Sequence, residues 1–107
     1  MFLIISTLGC NSAGGHWNPK KVTHGLLTSL VHHAGDLGNF EYSPTGKVFS
    51  EVRSFDLALF GSDSIINRSV VIHERLDDGG LGSAPSSKKS GNAGPKIACG
   101  TILLAKN

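Results

Sequence analysis

Apolar and polar residues alternate along several stretches of this 107-residue chain, and such alternation is typical of a β-strand with one buried face. Alternation is longest over residues 47–59 and over residues 96–105. The β-branched run Ser69–His73 predicts another strand, residues 39–42 a short one, and the apolar start Met1–Ile5 the end of one. We therefore predict an all-β chain of about four strands.

Two stretches of about twenty residues, 10–34 and 75–95, lack this alternation and are rich in glycine and serine. Loops of that length in a compact domain usually have a function. An alternative stays open for residues 22–31, whose apolar positions also fit a helix. Gly25 weakens that helix by about 1 kcal/mol relative to alanine, and in this interpretation the histidines nearby are incidental.

Four of the five histidines and one aspartate lie within residues 16–36, which overlap the first of these loops; they are His16, His24, His32, His33 and Asp36. Neutral imidazoles with a carboxylate are typical ligands of zinc or copper. The many glycines around them suit a chain that folds back on an ion. The sequence therefore predicts a metal-binding loop on a β-scaffold.

Charge and hydropathy argue against other classes of function. Ten basic against eight acidic residues give a net charge of +2, too weak to indicate nucleic-acid binding. The apolar start is too short to span a bilayer or to serve as a signal peptide, so we expect no membrane association and a cytoplasmic location. An extracellular location applies if an upstream segment is missing.

The two cysteines, Cys10 and Cys99, lie near opposite ends of the chain. In a cytosolic protein the default is two free thiols. The alternative is one bridge that closes nearly the whole chain, with an upper value of roughly 4–5 kcal/mol.

Several motifs resemble those of copper/zinc superoxide dismutases, in type, order and spacing, from about Cys10 to the C-terminus. The family's zinc loop is similar to residues 15–19, 23–25 and 33–39, and its late copper-ligand strand to residues 70–74. Its electrostatic loop and final strand are similar to residues 77–78 and 90–100.

The resemblance implies a role for each metal-ligating residue. His16 would bridge copper and zinc, while His24, His33 and Asp36 would complete a closed tetrahedral zinc site. His32 matches no ligand of the family.

On the copper side, His73 would bind copper and Asp77 would orient ligand imidazoles. Lys96 stands where the family has an arginine, so it keeps the positive charge but loses the two-point fork. The catalytic residues implied are His16, His73 and Lys96. Cys10 would pair with Cys99.

The family fold is an eight-stranded Greek-key barrel, and this chain resembles its C-terminal half with two long functional loops. We therefore expect a single, incomplete domain over residues 1–107, truncated at its N-terminus. The two copper-ligand histidines of the fourth strand are absent; one would precede Met1, and Met1 stands at the other. Copper binding should therefore be weakened or lost.

The implied activity is dismutation of superoxide to dioxygen and hydrogen peroxide. The alternative is a catalytically inactive remnant of the family that binds zinc and lacks redox copper. Superoxide is the implied substrate. The family is homodimeric, but its dimer is doubtful here because early-strand contacts are missing.

Overall fold

The computed structural model describes the backbone of residues 2–6 and residues 10–105. Met1, which stands at the position of one of the two absent copper-ligand histidines, lies outside the described residues. Three strands, β1 (Phe2–Ser6), β2 (Ser69–His73) and β3 (Lys96–Leu103), form one antiparallel sheet in the order β1-β3-β2. β3 is thus the central strand, and the three segments predicted as strands at these places are confirmed.

The pairing of β2 with β3 is regular until its last residue. Val71 lies opposite Cys99 and Ile72 opposite Ala98, but His73 lies opposite Lys96. Ile97 is therefore an extra residue on β3, and a bulge of this kind redirects the side chains beside it. The bulge lies beside His73, the last residue of β2 and a predicted metal ligand.

Residues 39–42 and 47–59 do not form the strands that their alternation predicts. In the described part of the chain, no backbone hydrogen bond joins residues 48–55 to another element. A strand requires a neighbouring strand for its backbone groups, and alternation alone does not supply one. Between the two segments, Ser43-Pro44-Thr45-Gly46 has proline and glycine where a turn needs them. That predicted turn is confirmed, since the N–H of Gly46 donates to the carbonyl of Ser43 at 2.8 Å.

The helix considered for residues 22–31 is also absent, and that alternative is wrong. The Asp36 carboxylate accepts the N–H of Gly25 at 3.2 Å, which holds the chain against the histidine loop. A turn follows, in which the N–H of Ser29 donates to the carbonyl of Leu26 at 2.9 Å. The long loop over residues 75–95 is irregular as predicted, except for one helical turn, α1 (Ser87–Ser90).

A disulfide joins Cys10 to Cys99, with Cα atoms 5.7 Å apart and a sequence separation of 89. It attaches a short 3₁₀ helix, Cys10–Ala13, to the central strand just before the loop that carries the histidines. The expectation of two free thiols is wrong, and the bridge is confirmed.

Apolar burial is limited among the described residues, where the buried apolar side chains are Cys10, Ala34, Ala93 and Ile102. Covalent and polar contacts therefore contribute much of the stability.

Among the described residues, none of the helices has the length and hydrophobicity needed to cross a membrane.

We predict that Cys99→Ser lowers the free energy of unfolding by about 2–5 kcal/mol, because the unfolded chain regains the freedom of a long loop. Urea unfolding followed by circular dichroism measures this. The double variant with Cys10→Ser should match the single one, since the second thiol then has no bond to lose. Equal stability of the oxidised wild-type chain and both variants would contradict the prediction.

Candidate metal centre

The carboxylate of Asp36 is the centre of the histidine cluster and is only 2% exposed. Its Oδ1 lies 2.6 Å from Nδ1 of His16 and 3.3 Å from Nδ1 of His33. Its Oδ2 lies 3.0 Å from Nδ1 of His24. The four candidate ligand atoms all fall within 4.8 Å of one another, so the structure brings together the residues predicted as zinc ligands.

Backbone contacts hold this carboxylate in place. The N–H of His33 donates to Asp36 Oδ2 at 2.7 Å, and the N–H of Gly25 reaches the same oxygen at 3.2 Å. The loop closes behind the cluster where the N–H of Gly35 donates to the carbonyl of Trp17 at 2.9 Å. A Cβ on Gly35 would lie 3.0 Å from the Trp17 nitrogen, which explains why a glycine suits this position.

The donor set fits a zinc ion. Nδ1 of His24 is buried without a hydrogen-bond partner, although Asp36 Oδ2 is 3.0 Å away, because the two atoms do not face each other in hydrogen-bond geometry. A buried polar atom normally has a partner, and an orphaned one beside three other ligand atoms indicates a shared cation. Three imidazole nitrogens and one carboxylate oxygen are a typical closed tetrahedral set.

Electrostatics favour an ionised carboxylate at this position. Burial alone would raise the pKa of Asp36, but the hydrogen bond from His16 and those from the backbone of His33 and Gly25 outweigh it. With the added attraction of His24, they lower the pKa from 3.8 to about 2. Asp36 is therefore in the anionic form that a metal ligand requires.

A second carboxylate supports the cluster from outside. Oδ1 of Asp77 lies 2.6 Å from Nε2 of His24 and accepts its N–H, which leaves Nδ1 of the same ring for the cluster. Asn39 positions Asp77 by accepting its N–H at 2.8 Å and donating to its carbonyl at 3.0 Å. A Cβ on Gly91 would overlap Asp77 Oδ1 and lie 2.6 Å from His24 Nε2.

His73 lies on the other side of His16, with ring centroids 5.9 Å apart. Its Nδ1 donates to the carbonyl of Gly94 at 2.9 Å, which leaves Nε2 as the atom that can bind a metal. His16 likewise commits Nδ1 to the cluster, and its Nε2 can bind a second ion. Nζ of Lys96 donates to the carbonyl of Gly14 at 2.8 Å, in the loop that leads to His16.

His32 stays outside the cluster, since its Nδ1 donates to the carbonyl of His33 at 2.8 Å. Sequence reasoning did not single out Asn39, Gly91 or Gly94 for their parts in the site. Their contributions come from backbone atoms, close approach or contacts far away in sequence, and the local sequence carries no signal for these.

A family model described as copper/zinc superoxide dismutase (SODC) matches residues 4–102. The chain belongs to the copper/zinc superoxide dismutase family. The superoxide dismutase [Cu-Zn] of Humicola lutea is 46% identical over 100 residues, covering 94% of this chain and 65% of the relative. That of Schizosaccharomyces pombe is 47% identical over 100 residues, with the same coverages of 94% and 65%.

An extracellular superoxide dismutase [Cu-Zn] of Caenorhabditis elegans is 51% identical over 94 residues, which is 88% of this chain and 42% of the relative. The chain thus spans less than two thirds of the length of these relatives. The fold of this superoxide dismutase family is a β-barrel, and the antiparallel sheet agrees with that fold class. Over the described residues the three strands do not close into a barrel.

We predict that the metal-free protein loses about 2 kcal/mol of stability as the pH falls from about 4 to about 2, through Asp36 alone. The sign follows from its lowered pKa: the stabilisation is present above the unfolded value of 3.8 and disappears as the folded form takes up its proton near 2. Urea unfolding of chelator-treated protein at several pH values measures this.

Asp36→Asn should flatten this part of the pH profile, whereas Asp63→Asn, at an exposed aspartate, should leave it unchanged. An identical pH profile for wild type and Asp36→Asn would contradict the assignment.

Proposed function

We propose that this chain is a superoxide dismutase of the copper/zinc type, in which the histidine cluster binds zinc and His16 links it to a copper site beside His73. The observation that carries the proposal is the convergence of three imidazoles on the buried Asp36, with the second nitrogen of His16 left for another ion. Membership of the family supports the activity.

His16, His24, His33 and Asp36 would hold zinc. Asp77 fixes the ring of His24 through its Nε2, and such support raises the affinity of a metal site. A zinc ion here would join the two ends of the segment from residue 16 to residue 36. Its binding free energy would add to the folding stability of the chain.

Copper, when bound, supplies the one-electron oxidation of one superoxide to dioxygen and the reduction of the next to peroxide. Nε2 of His16 is the atom that can hold a proton for the peroxide product, because its Nδ1 is engaged by Asp36. Nδ1 of His73 is fixed by the carbonyl of Gly94, which orients its ring toward His16. Lys96, held by Gly14, supplies positive charge that attracts anionic superoxide.

A second candidate function is zinc binding without redox activity. It is favoured by a difference between the two sides: the zinc side has four converging ligands, whereas the described residues bring only His16 and His73 to the copper side. Two imidazoles are a weaker copper site than the larger ligand sets of redox copper proteins.

Metal content and superoxide decay separate the two candidates. Purified chain is loaded with zinc and copper, dialysed, and assayed for bound metal by mass spectrometry and for dismutation by pulse radiolysis. A dismutase should hold about one zinc and one copper per chain, and His73→Ala should remove copper and activity while zinc remains. About one zinc with negligible copper and no dismutation would leave only the second candidate.

His33→Ala should abolish zinc binding, and His32→Ala is its matched control because the neighbouring ring lies outside the cluster. Equal zinc content in these two variants would refute the proposed ligand set.

We predict that Gly91→Ala weakens zinc binding about 10–100-fold, because the new methyl group displaces Asp77 from His24. Gly46→Ala is the matched control: both glycines have positive φ, 73° and 78°, but a Cβ at Gly46 meets no atom within 4 Å. Competition with a chromogenic chelator measures both affinities. An equal loss in the two variants would point to backbone strain and away from Asp77.

Superoxide is the proposed substrate, and residues 1–107 are proposed to act as one domain. We keep the cytoplasm as the proposed location, with an extracellular location as the alternative that one relative's name supports. We do not propose the homodimer of the family for this chain.

A further inference from the structure

Ser87 is 0% exposed, although serine is a polar residue that is mostly found at protein surfaces. It is the first residue of α1 (Ser87–Ser90), in the loop over residues 75–95, and it lies outside the candidate metal centre. Its burial is complete within the described part of the chain, so its contacts do not depend on any exposed surface. A buried hydroxyl group normally has hydrogen-bond partners, and these partners indicate what Ser87 does.

The hydroxyl of Ser87 holds a carboxylate inside this loop. It donates to Oδ1 of Asp78 at 2.8 Å and accepts the N–H of Gly82 at 3.0 Å. The same oxygen of Asp78 accepts the N–H of Gly80 at 2.9 Å. A Cβ on Gly82 would overlap Oδ2 of Asp78, so this glycine makes room for the carboxylate. Hydrogen bonds to an ionised group are about twice as strong as neutral ones, so Ser87 fixes Asp78 firmly.

This bond lies between the two groups that contact His24. Oδ1 of Asp77, the residue before Asp78, lies 2.6 Å from Nε2 of His24. The carbonyl of Lys88, the residue after Ser87, accepts the N–H of His24 at 3.0 Å. The bond from Ser87 to Asp78 therefore joins the neighbours of both groups and sets where one lies relative to the other.

The turn that follows Asp77 transmits this constraint to its carboxylate. The N–H of Gly79 donates to Oδ1 of Asp77 at 2.8 Å, the same oxygen that faces His24. Gly79 lies between Asp78 and Gly80, which are joined to each other through the Asp78 carboxylate. Because hydrogen bonds weaken steeply as their geometry changes, a shift of this turn would move Asp77 away from His24.

We propose that Ser87 is a positioning residue of the zinc site: through Asp78 it fixes the turn that keeps Asp77 on His24. This inference rests on the proposed zinc binding. Asp77 orients the ring of His24 so that Nδ1 faces the cluster, and such outer contacts raise the affinity of a metal site. Loss of the Ser87 hydroxyl should therefore weaken zinc binding although every ligand remains.

Zinc affinity of the full chain, measured by competition with a chromogenic chelator, tests the proposal. Ser87→Ala should weaken zinc binding about tenfold, the lower end of the range for residues that support a metal ligand. Ser86→Ala is the matched control, because its Oγ donates to Oδ1 of Asn92 at 2.9 Å and not to Asp78. The control should stay within about twofold of the wild-type chain. Equal affinities of the wild-type chain and Ser87→Ala would overturn the proposal.

A double substitution separates positioning from a general loss of stability. In Asp77→Ala the contact with His24 is already absent, so the addition of Ser87→Ala should lower the zinc affinity by less than about threefold. A residue that only stabilises the fold would lower the affinity by the same factor with or without Asp77. A loss of threefold or more in this background would overturn the proposal.

Gly82→Ala tests the same bond without a change at Ser87. The φ angle of Gly82 is not positive, so alanine causes no backbone strain there, but its Cβ displaces the Asp78 carboxylate. The zinc affinity should fall about tenfold, as in Ser87→Ala. This variant carries the test if Ser87→Ala does not fold, and wild-type affinity in Gly82→Ala would overturn the proposal.

Proton NMR of the isotope-labelled, zinc-loaded chain observes the affected contact directly. The Nε2–H of His24, which donates to Asp77, should give a downfield resonance. Ser87→Ala should shift this resonance or broaden it by exchange with water, and Ser86→Ala should leave it unchanged. An unchanged resonance in Ser87→Ala would overturn the proposal.

The zinc affinity of the wild-type chain distinguishes the two levels of inference. A wild-type chain that binds no zinc would refute the proposed function, and this inference with it. Zinc binding by the wild-type chain that Ser87→Ala leaves unchanged would refute only the role of Ser87.

Discussion

The buried carboxylate of Asp36 is the feature on which the rest of the site depends. It has three imidazoles around it and two backbone N–H groups on one of its oxygens, so its negative charge is both stabilised and directed. Removing such a group from the interior would leave the histidines without the contact that aligns them. The segment from residue 16 to residue 36 therefore takes its shape from one side chain more than from local propensity.

The sheet contributes position. β3 carries Cys99, which holds the start of the histidine loop through the disulfide, and Lys96, which contacts the same loop at Gly14. β2 ends at His73 beside the bulge in β3. Residues on β2 and β3 thus form one side of the site, and residues of the long loops form the other. Proteins commonly place binding residues on loops that a rigid scaffold holds in position.

Support also comes from the loop over residues 75–95. Asp77 reaches Nε2 of His24, and Gly91 makes room for that contact. The N–H of His24 donates in turn to the carbonyl of Lys88 at 3.0 Å, so the two loops are joined by backbone as well as side-chain bonds. A change at Gly91, outside the predicted ligand set, can therefore act on the metal centre.

Much of this protein could be predicted from the order of its residues alone: the ligand types, their spacing, the family, the strands at residues 69–73 and 96–103, and the turn at residues 43–46 all follow from local chemistry or motif. Tertiary structure decided which histidines meet, because His32 and His33 are neighbours in sequence yet only His33 turns toward Asp36. It also decided that residues 47–59 form no strand, since a strand exists only where another segment pairs with its backbone. Alternation of apolar and polar residues shows which side chains would lie on each face of a strand, but the strand that pairs with it comes from a distant part of the chain. The same is true of Asp77, which supports His24 in the space that Gly91 leaves.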